Sequence, residues 1–475
     1  MGGLLKKIKH MPQSAKASIA FFLASLITKG IGYITTPLFT RLLSPEEFGQ
    51  VSVYLTWVQI FGVIAMFSLS SGVFNNGMVD FPERRNEYSF SMLMLSNVIT
   101  LCFSAIILIL YPLIKTQLDM ELSLVILMCV LFLVQPAYNF WTAKQRYELK
   151  YKWTVIWTVF KALLSPTIAI ICILLFQNSR LYARLFGAEA TLIVIYVFFY
   201  LHLGNKSKWK LDVGFWKAAF FFNLPLIPHY LSTYLLSNSN KLLISALVSD
   251  AAVAYYSVAH SVATVGTIIW TSINSTLIPY TYEHCKKEDY KSVNRITLPI
   301  LSAFAVACIF LMMLAPEIVA IMATADYMEA IYVIPPTIGG IFFQVQYFMY
   351  ANIVYYHKKP AYVMIASISA TVANLVLNYF CISAFGYLAA GYVTMACYLL
   401  QATIDYFAMR RIVGHRVYDM RFIGLLSLAV VMIALMSNLI YGYMWIRYSI
   451  ILAILIGAFL FRNKIFELLK AIKKR

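Results

Sequence analysis

A chain of 475 residues that is 61% hydrophobic and only 12% charged is not a water-soluble multidomain protein; that balance places it in a bilayer. Its net charge of +18 is spread over many short segments instead of one basic face, which argues against nucleic acid as a partner and assigns the cations to loops beside anionic headgroups. The seven cysteines form no C-x-x-C pair and indicate neither a disulfide framework nor a metal site.

Residues 1–16, MGGLLKKIKHMPQSAK, read as a basic cytoplasmic N-terminus. The apolar run after it is too long, and too poor in small residues at its end, for a cleaved signal peptide, so it stays as the first span. Apolar stretches then follow near 17–42, 49–75, 88–114, 119–141, 153–176, 182–203, 216–246, 252–280, 294–322, 330–355, 361–383, 387–409, 420–441 and 444–462. Each can cross a hydrocarbon core that needs about 20 helical residues. Of the 38 Lys and Arg residues, 30 fall in eight segments: 1–16, 84–85, 144–152, 206–217, 286–295, 358–359, 410–421 and 462–475. An even count of 14 spans puts all eight on one side, and the positive-inside rule makes that side, with both termini, cytoplasmic.

The chain repeats itself. Residues 41–53 align with 246–258 at an offset of 205, where Leu42, Ser44, Ser52 and Val53 meet Leu247, Ser249, Ser257 and Val258; Pro112 meets Pro316 at an offset of 204. Six spans per half is an even number, so the halves enter the membrane in the same direction, as parallel repeats about an axis along its normal. The expected architecture is an all-α polytopic membrane protein of about 14 transmembrane helices. It comprises an N-lobe at 17–203 (spans 1–6), a cytoplasmic linker at 204–215, a C-lobe at 216–410 (spans 7–12), and two further spans with a basic cytoplasmic tail at 411–475.

Two local stretches carry a family resemblance. Residues 30–49, GIGYITTPLFTRLLSPEEFG, resemble the opening signature of polysaccharide flippases in the multidrug/oligosaccharidyl-lipid/polysaccharide exporter superfamily, and residues 314–330, LAPEIVAIMATADYMEA, followed by Pro335, are similar to the segment joining spans nine and ten there. The resemblance implies a flippase for undecaprenyl-pyrophosphate-linked oligosaccharide repeat units of O-antigen, capsule or exopolysaccharide, working by alternating access through a cationic central cavity. It also implies residence in the bacterial cytoplasmic (inner) membrane, beside polysaccharide polymerase and assembly proteins. Three residues depart from the family pattern: Asn240 stands where Asp is frequent, and Asn75 and Asn76 close span two where Arg is frequent. A lipid II flippase and a cation-coupled multidrug exporter are the alternatives, although the lysine-rich interior suits an anionic cargo better than a cationic drug.

Eight basic residues lie outside the loop clusters: Lys29, Arg41, Lys115, Lys161, Arg180, Arg184, Lys241 and Arg447. A charge inside a span needs a functional or structural reason, because one exposed to hydrocarbon costs about 2.5–3.5 kcal/mol or more. Lys29 stands 13 residues beyond Lys16 and 12 before Arg41, so about 18–20 Å of helix separates it from either end, too far for easy snorkelling. Lys29, Arg41, Lys161, Arg184 and Lys241 are the candidate pyrophosphate ligands, with Tyr33, Tyr234 and His260 as further cavity members; a structural role remains the alternative for each. Glu189, five residues beyond Arg184, is its expected ion-pair partner or else a proton carrier. Gly30, Gly32 and Pro37 in span one, and Pro225 and Pro228 in span seven, are helix breakers at corresponding places and the expected hinges. No nucleotide-binding loop, no H-E-x-x-H and no long extramembrane segment is present, so no enzymatic activity and no cofactor are expected, while the coupling ion, proton or sodium, is left open.

Overall fold

The computed structural model describes residues 13–457; parts of the expected N-terminus 1–16 and of the basic tail lie outside them. The described residues are helical, with no strand. In chain order the helices are α1 (Gln13–Leu42), α2 (Pro45–Ala65), α3 (Val73–Asp80), α4 (Arg85–Leu118), α5 (Leu122–Tyr147), α6 (Tyr151–Leu175), α7 (Arg180–Ser207), α8 (Gly214–Asn223), α9 (Ile227–Leu247), α10 (Asp250–Lys286), α11 (Tyr290–Met313), α12 (Ala315–Met322), α13 (Ile334–Tyr356), α14 (Pro360–Phe385), α15 (Leu388–Val413) and α16 (Met420–Ile440). A shorter apolar helix, α17, follows at Met444–Gly457. Each of the 14 predicted stretches contains helix. Among the described residues, 10 helices have the length and composition to cross a membrane, or 11 if the 3-10 segment Ala325–Tyr332 and α13, bent by 47° at their junction, form one span. The chain is an all-α, multi-pass membrane protein. Helix α9 has the length to span but carries a polar run, Ser-Asn-Ser-Asn-Lys at 237–241, and α15 carries Gln401, Asp405, Arg410 and Arg411.

Contacts divide the chain into two units, Met1–Leu235 and Leu236–Arg475. In the first, α2 is started by a capping box: the Ser44 hydroxyl accepts from the Glu47 amide, the Glu47 carboxylate accepts from the Ser44 amide, and Pro45 takes the first helical position. The predicted span 49–75 is not one helix. Helix α2 ends at Ala65 and the chain turns through Phe67, Ser68 and Gly72, with φ of 54°, 45° and 54°, before α3 begins. The sequence Ser68-Leu-Ser-Ser-Gly72 explains the stop, since serines compete for backbone hydrogen bonds and glycine accepts the left-handed turn. Neighbouring helices take up the freed carbonyls. Thr100 Oγ1 donates to Ala65 O at 2.9 Å, Ser96 Oγ to Met66 O at 3.2 Å, and the fully buried Asn223 Nδ2 to Phe67 O at 2.7 Å. Irregular backbone at membrane depth persists only with such partners or beside a cavity.

Unit two is built around α13, which packs on α10, α11, α15 and α16. Small residues let α13 and α15 approach: a Cβ on Gly339 would meet Met395 Sδ at 2.6 Å, and one on Gly391 would meet Pro336 Cγ at 2.8 Å. Ser249 caps α10 by accepting from the Ala252 amide at 3.2 Å. Ser44 and Ser249, at the expected offset of 205, thus perform the same capping task in their own units.

Candidate functional site

In unit one, α5, α6 and α7 gather a group of charged and phenolic side chains. Lys161 of α6 donates from Nζ to Tyr196 Oη at 3.3 Å and lies 4.3 Å from the centroid of the Tyr138 ring and 5.4 Å from that of Tyr196. Tyr138 is fixed in turn by a 2.9 Å hydrogen bond with Thr158 Oγ1. Arg184 of α7 places its guanidinium 4.1 Å over the Phe39 ring of α1. Glu189, one and a half turns further along α7, is 4% exposed and within electrostatic range of both Arg184 and Lys161. It touches neither: no ion pair among the described residues includes Lys161, Arg184 or Glu189, and Glu189 Oε2 has no hydrogen-bond partner. The expected direct Arg184–Glu189 pair is therefore absent. Aromatic faces hold both cations instead, through the attraction of a cation to a ring quadrupole, and one carboxylate compensates two positive charges at a distance.

The other candidates in this unit sit elsewhere. Lys29 is exposed on α1 and forms no ion pair among the described residues, and Tyr33 is half-buried one turn further on. Arg41 donates to Pro37 O at 2.8 Å, closing the C-terminal turn of its own helix. Helix α1 runs without interruption through Gly30, Gly32 and Pro37, with the Thr35 and Thr36 hydroxyls donating to Gly32 O at 3.1 and 2.8 Å. Pro225, by contrast, lies in a 3-10 turn, Leu224–Leu226, that separates α8 from α9, and Pro228 occupies the first turn of α9. Tyr234 of α9 is exposed and lines a cavity against α2, α4 and α5.

In unit two, Lys241 and His260 are half-buried and within electrostatic range of each other, and His260 stacks on Tyr256 with centroids 6.1 Å apart and planes at 13°. Beside Lys241 lies a buried amide network. Asn240, fully buried, donates to Tyr256 Oη at 2.5 Å and Thr394 Oγ1 at 2.6 Å, and accepts from Asn378 Nδ2 at 2.7 Å; Ser239 donates to Asn374 Oδ1 at 3.4 Å. The departure noted at Asn240 thus builds a neutral cross-link of α9, α10, α14 and α15, with no carboxylate in it.

A family model described as "Polysaccharide biosynthesis protein" matches residues 14–285, more than half of the chain. The chain belongs to the polysaccharide biosynthesis protein family. The resemblance of residues 30–49 is borne out at that level. A protein of the Lsg locus of Haemophilus influenzae, also similar, is 21% identical over 290 residues, which cover 58% of this chain and 67% of that one. Among solved structures, a lipid II flippase, MurJ, in an inward closed conformation has a TM-score of 0.70 at 14% identity, covering 94% of this chain and 100% of its own. An inward-facing multidrug resistance MATE family transporter of the MOP superfamily gives 0.61 at 12% identity, covering 81% and 94%. At such identities these structures establish a shared fold.

Three features escaped the sequence reading. Arg447, one of the eight isolated cations, is 2% exposed and pairs with Glu317 at 2.6 Å, the carboxylate that also accepts from Tyr448 Oη at 2.8 Å. Asp405 on α15 is fully buried with neither carboxylate oxygen hydrogen-bonded among the described residues. The third is the cavity beside Tyr234, whose amides were visible as isolated Gln and Asn residues inside apolar runs.

Proposed function

We propose that this member of the polysaccharide biosynthesis protein family is a flippase that moves undecaprenyl-pyrophosphate-linked oligosaccharide repeat units across the bacterial cytoplasmic membrane by alternating access. The observation that carries the reading is the surplus of positive charge inside the membrane-spanning helices of unit one, where Lys161 and Arg184 face a single carboxylate, Glu189, with no ion pair between them. A cation-binding drug exporter would need the opposite balance. An anionic pyrophosphate gains most where cations are held by aromatic faces and keep their charge uncancelled, since a carboxylate in direct contact would compete for the same donors. Lys29, exposed on α1, Arg41, Lys241 and the half-buried Tyr33 and His260 are proposed as further contacts of the headgroup along its path. The inside-negative potential assists outward movement of an anionic headgroup by about 2.3 kcal/mol per charge per 100 mV, so a direction exists before any coupled ion is invoked.

Supporting the reading from outside the chain are its family and a fold shared with a lipid II flippase. That likeness also favours a second reading, in which the cargo is the peptidoglycan precursor itself. Deleting the gene and measuring the polyprenyl-pyrophosphate pool by mass spectrometry separates them. Accumulated oligosaccharide repeat units with loss of surface polysaccharide is the expected result; accumulated lipid II supports the second reading; an unchanged pool contradicts both.

A further inference from the structure

We infer that the cavity at the break of span two is a subsite for the sugar portion of the cargo, an inference that rests on the flippase reading and adds where the neutral glycan is held. The cavity has a volume of about 340 Å³, at the lower end of the usual range for small-ligand sites, and is lined from α2, α4, α5, the 66–72 turn and Tyr234. Its chemistry is specific. Gln59, Gln135, Asn139, Ser70 and Ser71 present amides and hydroxyls, and no Lys, Arg, Asp or Glu is among its lining residues.

Depth makes those groups meaningful. Gln59 lies 14 residues into α2 and Gln135 lies 13 residues into α5, so each is about 20 Å of helix from the start of its span, about two-thirds of the way across a hydrocarbon core of about 30 Å. Among the described residues, the side chains of Gln59, Gln135, Asn139, Ser70 and Ser71 make no hydrogen bond within the protein. An amide at that depth without a partner is costly unless it meets water or a polar ligand. Each amide offers two donors and a carbonyl acceptor, and each hydroxyl one donor and two lone pairs, the mixed inventory that matches a sugar ring's own hydroxyls. A phosphate would call for cations here and a cationic drug for a carboxylate. The cavity has neither, whereas the cationic group at Lys161 and Arg184 lies outside its lining. The two ends of a lipid-linked oligosaccharide, anionic and neutral, therefore find separate surroundings in unit one.

The test compares binding of two probes to the full-length protein in detergent: undecaprenyl pyrophosphate, and the undecaprenyl-pyrophosphate-linked oligosaccharide extracted from the deletion strain. The wild-type protein is expected to bind the glycosylated lipid more tightly, and Gln135→Ala and Asn139→Ala each to weaken that binding roughly tenfold while leaving undecaprenyl pyrophosphate unchanged. A second arm uses Ser70→Cys, modified after purification so that folding is not at issue. A bulky thiol reagent is expected to block the glycosylated lipid alone, and bound glycosylated lipid to slow the labelling. Wild-type affinity in both amide variants, or labelling that the glycosylated lipid leaves unslowed, overturns the subsite and leaves the flippase reading standing. A wild-type protein that binds neither lipid overturns that reading and the subsite with it.

Discussion

Lys161 faces the ring of Tyr138 at 4.3 Å, so its positive charge is held by an aromatic surface and not cancelled by a carboxylate. Neutral replacement should remove an anion-binding charge without leaving a buried countercharge in contact. Lys161→Met is therefore expected to lower export of surface polysaccharide at least tenfold at unchanged protein level, and Lys161→Arg to retain part of it. Quantifying surface glycan against membrane-inserted protein checks both. Full export by Lys161→Met would assign the lysine a packing role.

Gly77 of α3 has no room for a side chain. A Cβ there would lie 2.1 Å from the Tyr88 ring, which is 3% exposed and anchored by its hydroxyl to Val73 O at 3.1 Å. Gly77→Ala is expected to destabilise unit one by about 1–3 kcal/mol through overpacking, and more if the Tyr88 bond is lost. Thermal unfolding in detergent measures it, and Tyr88→Phe in the same background separates the ring from its hydrogen bond.

Arg447 and Glu317 form a pair 130 positions apart that fastens α17 to α12. Glu317→Gln leaves an almost fully buried guanidinium without its counter-ion, a change that costs about 3 kcal/mol in comparable buried pairs. Replacing both residues with Met and Leu removes the charge as well and should recover much of the loss. The same melts report both outcomes, and equal stability of Glu317→Gln and the parent chain would show the pair to be dispensable.

Legibility followed the range of the interactions involved. Apolar runs and the placement of Lys and Arg between them are local signals, and helix occurs in every predicted stretch. Ser44 and Ser249 were visible as a repeat, and each proves to be a helix cap. The break after Ala65 was hidden because Ser68-Leu-Ser-Ser-Gly72 is short and flanked by apolar sequence, while the groups that make it tolerable, Thr100 and Asn223, lie 35 and 156 positions from their acceptors. Five residues beyond Arg184 on the same helix, Glu189 reads in the sequence as its ion-pair partner or a proton carrier. The sequence could not reveal that Phe39 of another helix covers the guanidinium. A lone amide in a span, such as Gln135, is usually an interhelical contact, and only the fold shows that this one meets a cavity.

On the cytoplasmic side predicted from the basic clusters, Arg84 bonds Asp212 at 2.6 Å and, with the Gly214 amide, holds that carboxyl below the usual carboxylate range. A carboxyl depressed in the folded state contributes stability above its unfolded value of about 3.9, and that contribution is lost as pH falls through the lower folded value. The pair is exposed, so the effect is small and screened by salt. Melting temperatures of the parent chain and Asp212→Asn are expected to differ at pH 7 and to converge at the acid end of the range, below pH 4. A difference that persists there would assign the loss to packing instead of charge.

The central claim is tested most directly by reconstitution. The purified protein is placed in vesicles whose lipid-linked oligosaccharide, extracted from the deletion strain, starts in one leaflet, and its appearance in the other is followed with a membrane-impermeant glycosidase. Translocation by the wild-type protein that falls at least tenfold in Lys161→Met and in Arg184→Met is expected. Vesicles in which the protein moves no more glycan than protein-free controls would contradict the assignment.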